Sequence, residues 1–488
     1  MHVRELRLVP DSHTLGQPLV FPVNCQLKSP IHLSIVVIVA VAVILAPDVS
    51  LARPVATVPD IDMPADLAVS GDTTIVVRRG QSLLGIAADL LDRSEHYTSS
   101  ELVADMRHRN DLISDRLIPG QVLLVPLRRI EASADLPRIV DPRPAHGIYA
   151  TATVAGSMRM MGLADSLVQA GGNTIVFDIK DREGDLSYVS TVPLARQTQI
   201  DSLAPIRRPA ALVGQLHRRG LHVVGRLSCF YDERLAAARP ELAPQVADGK
   251  PWTGGWLDPS NGEVQSYLLD VVDEMVAFGI DEVQLDYVRF PTETRADSAI
   301  FGYADTLARH EVITAFVRRV RDQLAGSGVL LAADVFGVAA WGHSADLDRI
   351  GQHLSDLMPL LDVACPMLYP SHFYGNFLGM TKPEDFPYFL VFEGVRRIMP
   401  LARAHGVAVR PWVQSFPYRI PTFGQAYVVE QIQGAADAGA DGCLLWHPAS
   451  RYDVGLSALR QVLEGAVEAP PDRMPQLLGG RTEIVNDM

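Results

Sequence analysis

The sequence has few cysteines. Its 488 residues include only four, none of them in a CxxC spacing: Cys25, Cys229, Cys365 and Cys443. Such a pattern predicts neither a zinc site nor a disulfide framework. The last three lie within apolar, strand-like runs, which indicates that they are buried free thiols.

Positive charge is also scarce, since 43 Lys and Arg stand against 57 Asp and Glu, giving a net charge of −14. A nucleic-acid-binding surface needs clustered Lys and Arg to meet the phosphates, so we exclude nucleic acid as a partner. No GxGxxG or GxxxxGK[ST] motif follows any strand-like run, and no HExxH motif is present. We therefore predict no cofactor and no metal site.

One long apolar run is present, at residues 31–46. It is short for a membrane-spanning helix, which needs about 20 residues, and its length suits the core of a signal peptide. Ser50-Leu51-Ala52 then offers a small-x-small cleavage site. Residues 1–52 are predicted to be a signal peptide, with an uncleaved anchor, the single membrane contact expected, as the alternative. Both predict export to the periplasm, the cell envelope or the medium.

A small domain is predicted at residues 74–127, between linkers at 53–73 and 128–145. Its pattern indicates the order β-α-α-β, and its segments VVRRGQSLLGIA, RHRNDL and LIPGQVLLVPL resemble the LysM domain. The resemblance implies binding to peptidoglycan or another N-acetylglucosamine-containing glycan. The alternative is a domain that only packs against its neighbour.

The remainder, residues 146–465, alternates short apolar runs with amphipathic stretches. One such stretch, Gly262 to Phe278, follows the capping pair Ser260-Asn261. The eight runs are 147–154, 174–180, 222–230, 282–290, 329–337, 363–369, 407–416 and 442–447. Eight apolar strands alternating with helices predict an α/β fold, a (β/α)₈ TIM barrel. The tail, residues 466–488, is predicted to be disordered.

Three carboxylates lie in the C-terminal parts of predicted strands, and the C-terminal ends of barrel strands carry the chemistry of this fold. They are Asp178, Asp286 and Asp334. Hydrolysis of a glycosidic bond needs an acid and a second carboxylate, and neighbouring strands could hold Asp286 and Asp334 about 5–6 Å apart. A nearby arginine would keep Asp286 ionised and leave Asp334 as the acid. The alternative is that each carboxylate is only a structural salt-bridge partner.

Aromatic and polar residues at the same strand ends are the candidate substrate-binding residues, because sugar faces stack on rings and sugar hydroxyls take hydrogen bonds. The candidates are Lys180, Arg226, Tyr287, Arg289, Tyr369, His372, Trp412, Gln414 and Trp446.

Several long segments, in order along the barrel, resemble bacterial glycoside hydrolase barrels that are distant relatives of the α-amylase-type hydrolases. They are WLDPSNGEVQSYLLDVVDEMVAFGIDEVQLDYVRFP, ADVFG, CPMLYPSHF and DAGADGCLLWH. The resemblance implies a TIM barrel that acts on a polysaccharide, with Asp286 as the principal catalytic residue. Three positions depart from the pattern: Gln284 replaces an arginine, Asp334 a glutamate, and Ser415 an acidic residue.

Two other functions stay open at this point. The first is a non-catalytic glycan-binding or scaffolding protein with a degenerate barrel, which the Ser415 departure favours. The second is metal-dependent deacetylation, for which the sequence has no clear Asp-His-His grouping. His217 and His222 straddle a helix-to-strand turn and are predicted to be surface residues.

Overall fold

The computed structural model describes residues 71–127, 142–292, 296–303, 307–373 and 377–466. The predicted signal peptide or anchor, most of both linkers and the tail beyond residue 466 lie outside the described residues. Among the residues described, no helix combines the length and the apolar character needed to cross a membrane.

The small N-terminal domain has the predicted β-α-α-β order. Its elements are β1 (Gly71–Val76), α1 (Leu83–Leu90), α2 (Ser99–Arg109) and β2 (Val122–Leu127). β1 and β2 pair antiparallel, and the two helices pack on this pair of strands. The domain thus has a small apolar core of its own. Both helices begin where the sequence places a capping side chain: Ser82 accepts from Gly85 N, and Thr98 forms a capping box with Glu101.

The segment between α1 and α2 docks on the barrel. The buried Tyr97 hydroxyl donates to the carbonyl of Ala155 at 2.9 Å. Arg208 donates to the carbonyls of His96 and Ser94 at 2.5 and 2.9 Å. The small domain therefore packs against its neighbour through specific polar contacts.

The predicted TIM barrel is confirmed. Its parallel strands are β3 (Ala145–Ala150), β4 (Thr174–Lys180), β5 (His222–Ser228), β6 (Glu282–Asp286), β7 (Leu330–Phe336), β8 (Val363–Met367), β9 (Ala408–Val409), β10 (Trp412–Gln414) and β11 (Gly442–Trp446). β9 and β10 together form the seventh strand, interrupted at Arg410-Pro411. Pairing of β10 with both β8 and β11, and of β11 with β3, closes the barrel.

Helices cover the outside of the barrel. They are α3 (Ala152–Ala155), α4 (Arg159–Gln169), α5 (Pro193–Thr198), α6 (Pro209–His217), α7 (Glu233–Ala238), α8 (Gly262–Ala277), α9 (Arg309–Leu324), α10 (Ser344–Ile350), α11 (Leu354–Leu357), α12 (Pro387–His405), α13 (Gln425–Asp437) and α14 (Asp453–Leu463). Helix α8 begins after Asn261, whose side chain accepts from Glu263 N and Val264 N, as the capping pair predicts.

The barrel interior holds charge as well as apolar side chains. Arg410 Nη1 and His222 Nε2 lie 2.7 and 3.0 Å from Glu282 Oε2, and all three side chains are buried. His217 is also buried, with Nε2 2.8 Å from Asp281 Oδ2. The prediction that His217 and His222 are surface residues is therefore wrong, because each has a carboxylate partner that offsets the cost of burying it.

The three described cysteines, Cys229, Cys365 and Cys443, are buried and free, which confirms the prediction for them. Cys25 lies outside the described residues.

Candidate active site

Arg226 of β5 contacts all three predicted carboxylates at the C-terminal end of the barrel. Its neighbour in register on β4 is Asp178, whose Oδ1 lies 2.5 Å from Arg226 Nη1. On the other side, Asp286 Oδ2 accepts from Arg226 Nη2 at 2.5 Å and from Nε at 3.0 Å. Asp334 Oδ2 lies 3.9 Å from the same Nε. The strand pairing alone thus gathers three carboxyl groups around one guanidinium.

Asp286 is the last residue of β6, and the backbone turns sharply directly after it. Tyr287 has a φ of +49°, in the left-handed region that a bulky residue adopts at a cost of about 1–2 kcal/mol. Its N–H donates to Asp286 Oδ1 at 2.6 Å. This turn ends the strand at Asp286, four residues before the predicted end. Backbone strain next to a carboxylate is typical of functional sites.

Asp334 on β7 is buried and receives a hydrogen bond from Trp412 Nε1 to its Oδ1 at 2.6 Å. Burial raises the pKa of Asp334 well above its usual range, and the negative charge of Asp286 raises it further. Arg226 and the Trp412 hydrogen bond oppose this shift without cancelling it. Asp334 is therefore the member of the pair that retains its proton, as a general acid requires.

Asp178 is the third buried carboxyl group. Burial raises its pKa to about 6, although Arg226 and a hydrogen bond from the Tyr149 hydroxyl favour the ionised form. Ionisation of all three aspartates would place more negative charge around Arg226 than one guanidinium can balance, so the cluster holds protons into the neutral range.

Aromatic rings lie beside these carboxylates. Tyr149 and Trp446 stack with ring centroids 4.0 Å apart, and the Arg226 guanidinium lies 5.6 and 5.4 Å from the two centroids. Tyr369 is half-buried, and the charges of Asp334 and Asp286 add to burial in raising its pKa. Rings next to paired carboxyl groups, two of them (Tyr369 and Trp446) partly exposed, are an arrangement that can bind a sugar.

Residues 147–452 match a family model described as "Putative glycosyl hydrolase domain". The chain belongs to this glycosyl hydrolase family. The match confirms the predicted glycoside hydrolase at the level of the family, and it spans the part of the chain that forms the barrel and carries all three aspartates. The α-amylase kinship and the LysM identity of the small domain stay predictions.

No curated protein matches the chain. Among solved structures, a hypothetical protein from Ruminiclostridium thermocellum is 34% identical, with 38% of this chain and 97% of that chain covered and a TM-score of 0.35. The PgaB (BpsB) glycoside hydrolase domain from Bordetella bronchiseptica is 12% identical, with 65% and 98% covered and a TM-score of 0.50. At that identity the second similarity supports the barrel fold alone.

The structure of this hydrolase brings together most of the predicted site residues. Around the cluster lie Asp178, Arg226, Asp286, Tyr287, Asp334, Tyr369, Trp412 and Trp446. Trp412 is buried, its Nε1–H donates to Asp334, and its ring packs in the barrel core.

Four predicted residues lie apart from the carboxylates. Lys180 is fully buried and pairs with Asp232 at 2.8 Å, beyond a register shift in β4 that follows Asp178. Arg289 lies over the rings of Trp256 and Phe336, each centroid 4.7 Å away, so the pairing with Asp286 belongs to Arg226.

The other two of the four lie further along the rim. The buried Gln414 amide accepts from Ser371 N and donates to the carbonyls of Phe416 and Tyr418. It therefore ties two loops together. The His372 ring lies 5.3 Å from that of Tyr369, and burial lowers its pKa to about 4.

Two site residues escaped the sequence analysis. Tyr149, whose hydroxyl donates to Asp178, alternates with Gly147 on the inward face of β3, and this period-2 pattern could have identified it. Gln352 lies outside every strand, yet its amide donates to the carbonyls of Asp334 and Val288 and accepts from Phe336 N. No local sequence signal marks it, because it bridges the ends of β6 and β7 from a distant segment.

Replacing Trp412 with phenylalanine is expected to move the basic limb of the pH–activity profile upward. Phenylalanine keeps most of the ring but removes the Nε1–H donor, and the lost hydrogen bond is one of the influences that lower the pKa of Asp334. The unpaired carboxyl oxygen should also cost about 1–3 kcal/mol of stability. Rates measured against pH test this. A basic limb that stays in place or moves downward would contradict the expected influence of Trp412 on the pKa of Asp334.

Replacing Asp178 with asparagine is expected to stabilise the hydrolase increasingly as pH rises. The folded chain holds the Asp178 proton up to about pH 6, against 3.8 ordinarily, so folding binds a proton within this interval. Wild-type stability therefore falls as pH rises from about 4 to 6, by up to about 3 kcal/mol. The variant lacks this loss. Denaturant unfolding at pH 4 and 7 measures it; a difference independent of pH contradicts the shift.

Proposed function

We propose that the barrel hydrolyses a cell-envelope or extracellular polysaccharide through a covalent intermediate, with Asp286 as nucleophile and Asp334 as general acid. The observation that carries the proposal is the shared contact of both carboxylates with Arg226 Nε, at 3.0 and 3.9 Å. Their Oδ2 atoms can be no further apart than these two distances combined. That limit accommodates the spacing of about 5–5.5 Å in retaining enzymes and excludes most of the inverting range of about 6.5–9.5 Å.

The two environments differ as the two roles require. Asp286 accepts two hydrogen bonds from Arg226 and one from Tyr287 N, all of which stabilise its anion. Burial and the charge on Asp286 raise the pKa of Asp334 and so favour its protonated form. Asp334 would protonate the leaving oxygen while Asp286 attacks the anomeric carbon. The resulting Asp334 carboxylate would then take a proton from the water that releases the sugar.

The departure at Ser415 does not weaken this assignment. Ser415 is buried next to α14, close enough that a Cβ on Gly455 would lie 2.5 Å from its Oγ. Its side chain thus projects from β10 toward the outer helix layer, whereas Trp412 and Arg410 project inward. An acidic residue at this position is not needed by the Arg226 cluster.

We propose further that the small domain targets the enzyme to peptidoglycan or another N-acetylglucosamine-containing glycan. Its contact with the barrel uses the segment around Tyr97, which leaves other faces free. The exposed apolar side chains of this domain include Leu84 at the start of α1, and Ile113 and Ile118 between α2 and β2. Exposed apolar side chains of this kind can pack on sugar faces.

The experiment that tests the proposal incubates the purified chain with peptidoglycan, chitin and a bacterial exopolysaccharide, and measures new reducing ends. The wild-type chain is expected to release them from at least one polymer, and the Asp286→Asn/Asp334→Asn double variant from none. Co-sedimentation with the insoluble polymers reports binding separately. Binding without any release of reducing ends would support a non-catalytic glycan-binding protein instead.

A further inference from the structure

A second cluster of functional side chains lies on the outside of the barrel, where the segments after β6 and β7 meet. His310 is in the first turn of α9, His353 directly precedes α11, and Asp356 lies within α11. One ligand atom from each of these residues lies within 4.8 Å of the other two. None of the three takes part in the Arg226 cluster.

Ligand atoms of the three groups lie close to one another. Nδ1 of His310 lies 2.7 Å, and Nδ1 of His353 4.0 Å, from Oδ2 of Asp356. The two imidazole rings are parallel, with an interplanar angle of 0° and centroids 4.1 Å apart. In a tetrahedral zinc site with bonds of about 2.0–2.2 Å, ligand atoms lie roughly 3.4 Å from each other. The two distances lie on either side of this value, and because the stacked rings share no plane, one imidazole must also rotate out of the stack before both Nδ1 lone pairs can point at one ion.

A carboxylate also holds the far side of one imidazole. Asp348 Oδ1 lies 2.8 Å from Nε2 of His353. A hydrogen bond from Nε2–H to Asp348 leaves the lone pair on Nδ1, the atom that faces Asp356. Metal-binding histidines carry such a carboxylate partner on the second nitrogen, which fixes the tautomer and the ring orientation.

We propose that His310, His353 and Asp356 form a site for a divalent transition-metal ion, with Asp348 orienting His353. Two imidazoles and one carboxylate suit Zn²⁺, Ni²⁺ or Cu²⁺, whereas Mg²⁺ and Ca²⁺ prefer all-oxygen ligands. Between 24% and 34% of each of the three side chains is exposed, so an ion can enter from solvent and complete its coordination with water. The assignment is independent of the proposed hydrolysis.

The site is placed to stabilise the catalytic end of the barrel. His353 follows Gln352, whose side chain bridges the carbonyls of Asp334 and Val288 at the ends of β7 and β6. The preceding turn is also tied to the segment that follows β6, since Phe290 N donates to the carbonyl of Ile350 at 2.8 Å. An ion that joins α9 to the residue after Gln352 would fasten the two strand ends that carry Asp286 and Asp334.

Equilibrium dialysis of the metal-stripped chain against Zn²⁺, with elemental analysis of the bound metal, tests the site. We expect one Zn²⁺ per chain, and its loss in the His310→Ala/His353→Ala double variant. Asp348→Asn should weaken Zn²⁺ binding by about 10–100-fold. His405→Ala, at an exposed histidine at the end of α12, is the matched control and should bind as wild type does.

The proposal would be overturned if the wild type and the folded double variant bound the same number of Zn²⁺ ions per chain. It would also be overturned if a titration from low Zn²⁺ concentration gave the two chains the same affinity. Circular dichroism establishes that each variant is folded. Asp348→Asn alters only the end of an exposed side chain, so this variant is expected to fold as the wild type does. Weaker Zn²⁺ binding in it therefore reports on the site and not on folding.

Discussion

Replacing Asp286 with asparagine is expected to lower kcat by about 10⁴-fold or more, because removal of a nucleophile abolishes the covalent step and leaves only binding and charge stabilisation. The amide retains the size of the side chain and can still accept from Tyr287 N, whose bond to Oδ1 is 2.6 Å long. The left-handed turn after β6 should therefore persist. Reducing ends released from the polysaccharide give the rate.

Two controls separate chemistry from folding. Asp453→Asn makes the same change at an exposed carboxylate in the first turn of α14 and should leave the rate unaltered. Azide added to an Asp286→Gly variant should restore part of the turnover and give a product of inverted configuration, because removal of the side chain leaves room for a small anion to attack where the carboxylate stood. Full activity in Asp286→Asn would refute its role as nucleophile.

The barrel was predictable because its physical signal repeats eight times. Each strand is an apolar run, as strands buried on both faces must be, and each is followed by a stretch with helical period. Position near the C-terminal end of a strand also placed Asp178, Asp286 and Asp334 at one end of the barrel. Register then made the cluster nearly inevitable, since neighbouring parallel strands bring Asp178 beside Arg226.

The identity of the side chains that touch one another was less predictable. Lys180 lies two residues after Asp178 on β4, but the register shift between them and the distant Asp232 give it a different environment. Tryptophan is a residue type that stacks on sugars, yet Trp412 donates its Nε1–H to Asp334 and packs its ring in the core. Such outcomes depend on partners more than 50 residues away, which local pattern cannot identify.

Arg226 explains why three carboxyl groups can share one buried rim. It neutralises Asp286 through two hydrogen bonds, contacts Asp178 through a third nitrogen, and lies 5.6 and 5.4 Å from the centroids of the stacked Tyr149 and Trp446 rings. One guanidinium cannot balance three anions in a buried site. The carboxyl groups with the weakest contacts to Arg226 are therefore the ones that stay protonated. Asp334, with one contact at 3.9 Å, is the group least well held by Arg226.

Replacing Asp334 with asparagine is expected to lower kcat on the natural polysaccharide by about 10²–10⁴-fold, the usual contribution of general acid catalysis. The loss should be much smaller for an aryl glycoside of the same sugar, because a good leaving group departs without protonation. The basic limb of the wild-type profile, which reports loss of the Asp334 proton as pH rises through its raised pKa, should disappear in the variant. An equal loss on both substrates, or a basic limb that survives, would assign the acid to another group, and Asp178, with a pKa of about 6 in the same cluster, is the group to test next.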